Sequence, residues 1–314
     1  MIEGSDHKSI SMYHPCVLVT GATGFIGSYL VAYLLDQDYQ VIGLSRQSNP
    51  KMKHPRLTWV QSFDDIQHAQ IDYVINLAGE SIGDGRWTQR RKQKLIDSRV
   101  NTTDALLHYL LTHQQHPKRI ISGSAVGYYG IDPDQEWSEK NNEQGSSQPI
   151  FMSELCQEWE RSALQHKNQF DIKVIRLGVV FGHGGGILQQ LLLPIRFNLV
   201  GKIGSGRQPL AWIHIQDVIQ AIEFLMLNDT PNEVFNFVAP EQTNQVYFVR
   251  TAAKILNKKP LLSLPDSLFK IMLGEQSQLV LNGQYVIPEA LIQAGYTFQY
   301  PELTMALEQL LPSH

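Results

Sequence analysis

Three glycines near the N-terminus have a spacing that is typical of a ligand-binding turn. Gly21, Gly24 and Gly27 follow the apolar run Cys16–Thr20, and apolar residues recur after them at helical spacing. A glycine turn between a buried strand and a helix lets the backbone approach a pyrophosphate, whose charge is held by free amides at the helix N-terminus. The spacing therefore predicts a dinucleotide site. Its expected contacts are Gly21, Thr23, Gly24, Phe25, Ile26 and Gly27.

The end of the second predicted strand, residues 40–44, indicates which dinucleotide is bound. The chain continues as Ser45 and Arg46, without the Asp or Glu that bonds the adenosine ribose 2′-hydroxyl in most NAD-binding proteins. A guanidinium donates charge-assisted hydrogen bonds to a 2′-phosphate, which a carboxylate would repel. These two residues favour NADP(H) as the cofactor. The alternative is that Arg46 is an ordinary surface arginine.

The elements that must position these residues alternate between strands and helices. Apolar runs typical of buried strands occur at residues 16–20, 40–44, 73–77, 119–122, 173–177 and 234–238, and helical periodicity occurs at 26–36, 90–111, 151–165 and 216–227. This alternation predicts an α/β fold, a Rossmann-type doubly wound parallel sheet. We expect a loose extension at 1–14, a nucleotide-binding domain at 15–180 to which 211–240 return, and a smaller α+β substrate-side cap formed by 181–210 and 241–314.

The composition excludes several classes of protein. Lys and Arg number 26 against 30 Asp and Glu, a net charge of −4, and 43% of residues are hydrophobic. This balance indicates a folded chain that does not bind nucleic acid. The basic cluster at residues 86–94 is interpreted as a solvated helix face. Two distant cysteines predict neither a disulfide nor a metal site, and the lack of a long apolar run predicts a cytoplasmic protein without membrane contact.

Five ordered segments resemble the extended short-chain dehydrogenase/reductases, the NAD(P)-dependent epimerase/dehydratase superfamily, over nearly the whole chain. The segments are residues 21–27, 76–79, 122–130, 176–182 and 212–217. The resemblance implies that Leu77, Ala78 and Gly79 line the adenine-to-ribose part of the cofactor and that Val179 and Val180 pass beside the nicotinamide. It also implies that Ser124 is the catalytic-site hydroxyl and that Ser122, on the same strand, is a cofactor contact.

The same resemblance implies a catalytic Tyr, whose pKa is lowered by a Lys four residues later. None of the twelve tyrosines is followed by such a Lys, and helix 151–165 has Phe151 and Leu155 where we expect the pair. This departure, together with the segments 76–80, 98–103, 156–160, 283–288 and 295–303, resembles an atypical subfamily of "epimerase family proteins" that ends in a domain of unknown function. In that pattern Arg99 is a second expected cofactor contact.

Other residues could replace the lost acid/base. Besides Ser124, Tyr129 is a catalytic candidate, and we expect Glu80, Tyr128 and His214 on the substrate side of the crevice. Two alternatives stay open: Tyr129 is a packing residue of the pocket wall, and His214 is structural. Cys156, on a largely apolar helix face, is interpreted as a small core residue rather than a nucleophile.

These observations lead to one main hypothesis and two alternatives. The main hypothesis is an NADP(H)-dependent oxidoreductase of epimerase-like fold that lacks the usual Tyr/Lys pair and acts on a small-molecule substrate under the C-terminal cap. The first alternative is a non-catalytic NADPH-binding sensor or partner-binding module, and the weaker one is a sugar-nucleotide epimerase. The chain is compatible with a monomer or with a homodimer that uses helices 90–111 and 151–165. Four apolar positions would permit such a dimer: Leu95, Leu106, Leu107 and Leu110.

Overall fold

The computed structural model describes residues 13–67, 69–140, 150–267, 271, 274–278 and 282–311. Of the expected N-terminal extension, only Tyr13 and His14 lie within these ranges. The Tyr13 hydroxyl donates to the Asp72 carboxylate at 2.7 Å, so the chain is tied to the sheet from Tyr13 onward.

Strands and helices alternate along the described residues. The strands are β1 Cys16–Thr20, β2 Gln40–Leu44, β3 Leu57–Val60, β4 Tyr73–Asn76, β5 Arg119–Ala125, β6 Asp132–Trp137, β7 Ile172–Leu177, β8 Val179–Phe181, β9 Val200–Ile203, β10 Trp212–His214, β11 Val234–Phe237, β12 Leu262–Leu264 and β13 Gln284–Val286. The α-helices are α1 Phe25–Asp36, α2 Gln89–Thr112, α3 Phe151–Leu164, α4 Leu188–Arg196, α5 Ile215–Leu227, α6 Gln245–Ile255, α7 Glu289–Gln293 and α8 Leu303–Leu310.

Seven strands form one parallel sheet in the order β11-β7-β5-β4-β1-β2-β3. Every residue of β1 and β4 is buried, as expected for strands covered by helices on both faces. The predicted Rossmann-type fold is therefore confirmed. Because the strand order reverses between β1 and β4, their carboxyl ends flank the crevice where such sheets bind ligands.

The helices cover the two faces of this sheet with separate apolar clusters. On one face α1 and α5 pack through residues such as Leu30, Leu34 and Ile222. On the other face α2 packs Leu106, Leu107 and Leu110 against the strands. These three leucines and Leu95 are at most 1% exposed within their own chain. They are therefore unavailable as a surface between subunits, which corrects the expectation that these positions would permit a helix-mediated dimer.

The C-terminal part of the chain packs against the first turn of α5. The buried Asp217 carboxylate accepts hydrogen bonds from the Tyr296 hydroxyl at 3.1 Å and from the amides of Gln299 and Tyr300 at 2.7 and 2.9 Å. A separate apolar cluster joins α4, α6 and α8 around Phe181 and Trp212. Within the described residues, no helix is long and apolar enough to cross a membrane.

Candidate functional site

The glycine turn after β1 is held in a shape that requires glycine. Gly21 has φ +66°, and a Cβ there would lie 2.5 Å from the Leu77 carbonyl oxygen. A Cβ on Gly27 would lie 2.2 Å from the Gly21 carbonyl oxygen. Gly24 precedes α1 and provides no side-chain cap. The turn therefore brings the backbone close to the loop after β4 and leaves first-turn amides of α1 to meet an anion.

A cavity of about 580 Å³ opens along this turn and the loops after β2 and β4. Among its lining residues are these predicted cofactor contacts: Gly21, Thr23, Gly24, Ser45, Arg46, Leu77, Ala78 and Gly79. Its opposite wall comes from α2, through Ser98, Asn101 and Thr102. Thus β1, β2 and β4 bring residues distant in the sequence to one edge of the sheet.

Ser45, Arg46 and Glu80 meet at this cavity. The Ser45 hydroxyl accepts a hydrogen bond from the Gln47 amide at 3.0 Å and lies 3.5 Å from the Thr23 hydroxyl. Arg46 is 85% exposed and its Nη1 lies 3.3 Å from Glu80 Oε1. Glu80 therefore lines this cavity beside Arg46 and does not lie on the substrate side as expected. The reason is that the loop after β4 ends beside the loop after β2.

Glu80 is held by two guanidinium groups. Arg91 pairs with one carboxylate oxygen and Arg46 with the other, and hydrogen bonds from Arg91 and Arg46 lower the pKa of Glu80 below its usual range. Arg91 also donates to the Ser81 carbonyl at 2.7 Å, and its side chain is only 18% exposed. Arg91 thus departs from the expected solvated basic face, since it anchors the loop after β4.

A buried polar network lies behind this loop. The Thr20 hydroxyl donates to Asn76 Oδ1 at 2.6 Å and accepts from the Ala78 amide at 3.1 Å. Asn76 Nδ2 in turn donates to the hydroxyls of Thr103 and Ser122 at 2.8 and 3.3 Å. Ser122, an expected cofactor contact, is 1% exposed and holds Asn76 instead of lining the cavity. The network fixes the ends of β1 and β4 relative to each other.

Arg99, an expected cofactor contact, supports the loop after β4. Its guanidinium donates to the carbonyls of Leu95 and Glu80 at 3.0 and 3.1 Å and lies 5.0 Å from the Trp159 ring centroid. A Cβ on Gly79 would lie 2.8 Å from Arg99 Cζ, so this loop needs a glycine there. Burial lowers the pKa of Arg99 to about 10, which leaves the group charged at neutral pH.

The glycine-rich loop after β8 covers the start of α1. A Cβ on Gly185 would lie 2.4 Å from the Phe25 ring, and the Tyr29 hydroxyl donates to the His183 carbonyl at 3.1 Å. Phe25 therefore holds this loop in place, and Ile26 packs partly buried against the main core. Val180, expected beside the nicotinamide, is 9% exposed on the strand that leads into the loop.

Ser124 belongs to a buried charged network. Its hydroxyl donates to Glu160 Oε1 at 2.6 Å, and Glu160 accepts two hydrogen bonds at 2.8 Å from Arg176. Ser124 and Arg176 are 1% and 0% exposed. The Ser124 hydroxyl must break its hydrogen bond to Glu160 before it can donate to a substrate oxygen.

The two tyrosines after Ser124 pack around the same arginine. The Arg176 guanidinium lies 3.4 Å from the Tyr128 ring centroid and 4.8 Å from that of Tyr129. The Tyr129 hydroxyl donates to Asn236 Oδ1 at 2.9 Å, and its ring stacks on Trp137. Burial raises the pKa of Tyr129 to about 12. The geometry therefore favours the packing role for Tyr129 over the catalytic one.

His214 caps α5 inside the protein. Its Nδ1 accepts a hydrogen bond from the Gln216 amide at 3.1 Å, and its Nε2 lies 3.0 Å from Gln309 Oε1. The proton is therefore on Nε2, and burial lowers the pKa of His214 to about 4. The ring is 1% exposed, which favours the structural alternative over a substrate-side position.

Helix α3 does not turn the expected positions of the Tyr/Lys pair, Phe151 and Leu155, toward the turn after β5. Phe151 packs on Trp87 with ring centroids 5.1 Å apart, and Leu155 joins the same buried cluster. Met152 and Cys156 face the turn after β5 instead: a Cβ on Gly127 would lie 3.2 and 3.7 Å from their side chains. Burial raises the pKa of Cys156 to about 12, so the thiol is neutral and unsuited to nucleophilic chemistry.

A second cavity, of about 230 Å³, lies at the carboxyl ends of β5 and β7. Its walls include Ala125, Met152, Val179, Leu210 and Ala211. The last two residues are absent from the predicted site. Their signal in the sequence is their position directly before the segment Trp212–Asp217, which carries part of the resemblance.

Comparisons with known proteins agree with this geometry. The NAD dependent epimerase/dehydratase family matches residues 17–237, and DUF1731, a domain of unknown function, matches residues 264–310. An "Epimerase family protein" of Staphylococcus saprophyticus is 37% identical over 300 residues, which cover 94% of this chain and 98% of that protein.

Two solved structures share the fold. The crystal structure of human epimerase family protein SDR39U1 with NADPH has a TM-score of 0.84 at 31% identity, covering 94% of this chain and 98% of that one. The nucleoside-diphosphate sugar epimerase from Corynebacterium glutamicum has a TM-score of 0.71 at 26% identity, covering 95% of this chain and 58% of that one. The chain therefore belongs to the NAD dependent epimerase/dehydratase family, and it carries the DUF1731 domain at its C-terminal end.

Proposed function

We propose that this protein binds NADP(H) and transfers a hydride between the cofactor and a small-molecule substrate. The observation that carries the proposal is that Ser45, Arg46 and the glycine turn line one cavity of about 580 Å³. The exposed Arg46 guanidinium suits a 2′-phosphate, and the start of α1 suits a pyrophosphate. NADPH in the structure of the human relative supports the same cofactor here.

The chain's own residues bind and orient in this proposal. The first-turn amides of α1 hold the pyrophosphate, and the backbone from Leu77 to Gly79 follows the adenosine ribose. Val180 lies beside the nicotinamide, as the family resemblance implies. The bound cofactor supplies the hydride, which is chemistry that no amino-acid side chain provides.

The hydride transfer also needs a proton donor, and the family resemblance gives Ser124 as the catalytic-site hydroxyl. Burial raises the pKa of Tyr129 and Cys156 to about 12 and lowers that of His214 to about 4, which makes these three groups poor proton donors or acceptors near neutral pH. We therefore assign donation to Ser124, released from Glu160, with solvent as the proton source.

One observation favours the non-catalytic NADPH-binding alternative. Met152 and Cys156, at the four-residue spacing of a Tyr/Lys pair, face the turn after β5 and supply neither an acid nor a base. A sensor would keep the cofactor cavity and would not use Ser124 for proton transfer. The two functions differ in one readout, because Ser124→Ala lowers NADPH oxidation by a substrate only in the enzyme.

Calorimetric titration of NADPH and NADH into the full chain tests the cofactor assignment. We expect NADPH to bind at least tenfold more tightly, equal to about 1.4 kcal/mol. Arg46→Ala should remove that margin and leave the NADH affinity unchanged. Arg250 is an exposed arginine on α6, and the control variant Arg250→Ala should retain the margin. Equal affinity for the two cofactors, or binding of neither, would contradict the proposal.

A further inference from the structure

The cavity at the carboxyl ends of β5 and β7 has a wall chemistry unlike that of the cofactor cavity. Its aliphatic side chains include Val126, Met152, Leu177, Val179 and Leu210. Among the described residues that line it, the polar side chains are three amides and no side chain is charged. The amide of Gln284 is already engaged, since it donates to the Val126 carbonyl.

This wall is unsuited to a phosphorylated substrate. A diphosphate in a protein is held by guanidinium or ammonium groups, or by amides of a helix N-terminus. The start of α3 contributes the apolar side chains Ile150 and Met152 to the wall. An anion placed there would lose its hydration without gaining a charged partner among the described lining residues.

A neighbouring cavity, rather than this one, is lined by a cation. A neighbouring cavity of about 360 Å³ shares Ile131, Pro209, Asn282 and Gly283 with it and contains both Arg207 and Asp134. Arg207 is exposed. A charged group there would sit on the solvent side, away from Val179 and the end of β5 where the nicotinamide is expected.

We propose that this cavity takes a small, uncharged carbonyl compound with an apolar body rather than a nucleoside-diphosphate sugar. The inference rests on the proposed function and names its substrate class. A space of about 230 Å³ fits a substrate smaller than the usual ligand of drug size. In the reduction, the carbonyl carbon gains a hydride from NADPH and the carbonyl oxygen gains a proton from solvent, so that the products are an alcohol and NADP⁺.

Calorimetry on the full chain saturated with NADP⁺ tests this substrate class without turnover. The probes are cyclohexanone and acetophenone, and the comparison ligand is UDP-glucose. We expect at least one ketone to bind saturably with a Kd at or below about 1 mM. UDP-glucose should give no saturable binding, in the wild type or in Arg207→Ala.

Two Trp variants localise the binding. Leu210→Trp fills part of the cavity and should weaken ketone binding at least tenfold while NADP⁺ still binds. Leu193→Trp adds the same ring at a residue that is 55% exposed on α4, and should leave both affinities unchanged.

The results separate this inference from the proposed function. Saturable UDP-glucose binding, or no binding of either ketone to the NADP⁺-loaded protein, would overturn the substrate class and leave the cofactor assignment standing. An unchanged ketone affinity in Leu210→Trp would overturn the location. If NADP⁺ itself does not bind, the proposed function fails and this inference fails with it.

Discussion

At the residue scale, Glu80 places a carboxylate beside the arginine that is proposed to bind the 2′-phosphate. Its carboxylate pairs with Arg46 at 3.3 Å and with Arg91 on the other side. The end of β2 carries no acid, yet the loop after β4 brings one to the same place. A phosphate must therefore compete with Glu80 for the Arg46 guanidinium, and Arg91 offsets part of the negative charge.

Glu80→Gln should tighten NADPH binding. The expected gain is about 1.5- to 5-fold, because an exposed ion pair is worth about 0.2–1 kcal/mol and the phosphate no longer competes with it. Calorimetric titration measures the change, and Glu158→Gln, which removes a distant exposed pair with Arg161, is the matched control. The gain should vanish when Arg46→Ala is also present. Weaker binding in Glu80→Gln would show that the carboxylate itself contacts the cofactor.

His214 makes stability depend on pH. Burial lowers its pKa from 6.5 to about 4, so between these values the unfolded chain binds a proton that the folded chain does not. The free energy of unfolding therefore falls as the pH falls through this window, by up to about 1.4 kcal/mol per pH unit. His214→Asn, which can still cap α5, should flatten this slope in urea unfolding between pH 7 and pH 5. The control variant His108→Asn, at an exposed histidine, should leave the slope unchanged. A slope in His214→Asn equal to that of the wild type would contradict the prediction.

At the element scale, the strand-turn-helix unit β1–α1 is the part that local sequence predicts best. The apolar run, the three glycines and the helical periodicity each lie within a few residues, so they need no distant contact to be recognised. The same holds for α2, predicted at 90–111 and observed at Gln89–Thr112. Strand β3 is missing from the prediction because Leu57–Val60 is short and half-exposed at the sheet edge.

Gly27→Ala tests how tightly this unit is packed. The added Cβ would lie 2.2 Å from the Gly21 carbonyl oxygen, which forces the turn away from α1. We expect at least a tenfold loss of NADPH affinity by calorimetry and a lower Tm by calorimetric scanning, since overpacking costs about 1–3 kcal/mol. Gly83→Ala, whose Cβ would lie 3.9 Å from its nearest neighbour, should change neither. Wild-type affinity in Gly27→Ala would mean that the turn does not bind the cofactor.

At the scale of the whole molecule, Asp217 connects the C-terminal segment to the Rossmann-type sheet. Its carboxylate holds Tyr296, Gln299 and Tyr300, and the segment continues into α8, which packs against α6. Three hydrogen bonds converge on one buried group, whose pKa is raised by burial. The attachment therefore depends on acceptors that an amide cannot fully replace.

Asp217→Asn should loosen this attachment. The Asn amide keeps one acceptor oxygen, but its NH₂ group is a donor and faces other donors. We therefore expect a loss of about 1–3 kcal/mol in the free energy of unfolding. Hydrogen exchange should rise first at residues 296–300, and the exposed Asp36→Asn should leave both measurements unchanged. Unchanged exchange in Asp217→Asn would show that apolar packing alone holds the segment.

Local patterns in the chain are enough to predict the α/β class, the glycine turn, the missing acid after β2 and the absence of a Tyr/Lys pair. Each of these depends on residues that are neighbours in sequence. Three features follow from packing instead. The order β2-β1-β4 brings Glu80 to Arg46, and burial pairs Ser124 with Glu160. The packing of α3 turns Met152 and Cys156, and not Phe151 and Leu155, toward the turn after β5. Arg46 and Glu80 are 34 positions apart in the sequence, and Ser124 and Glu160 are 36 positions apart. No local periodicity encodes contacts over such separations.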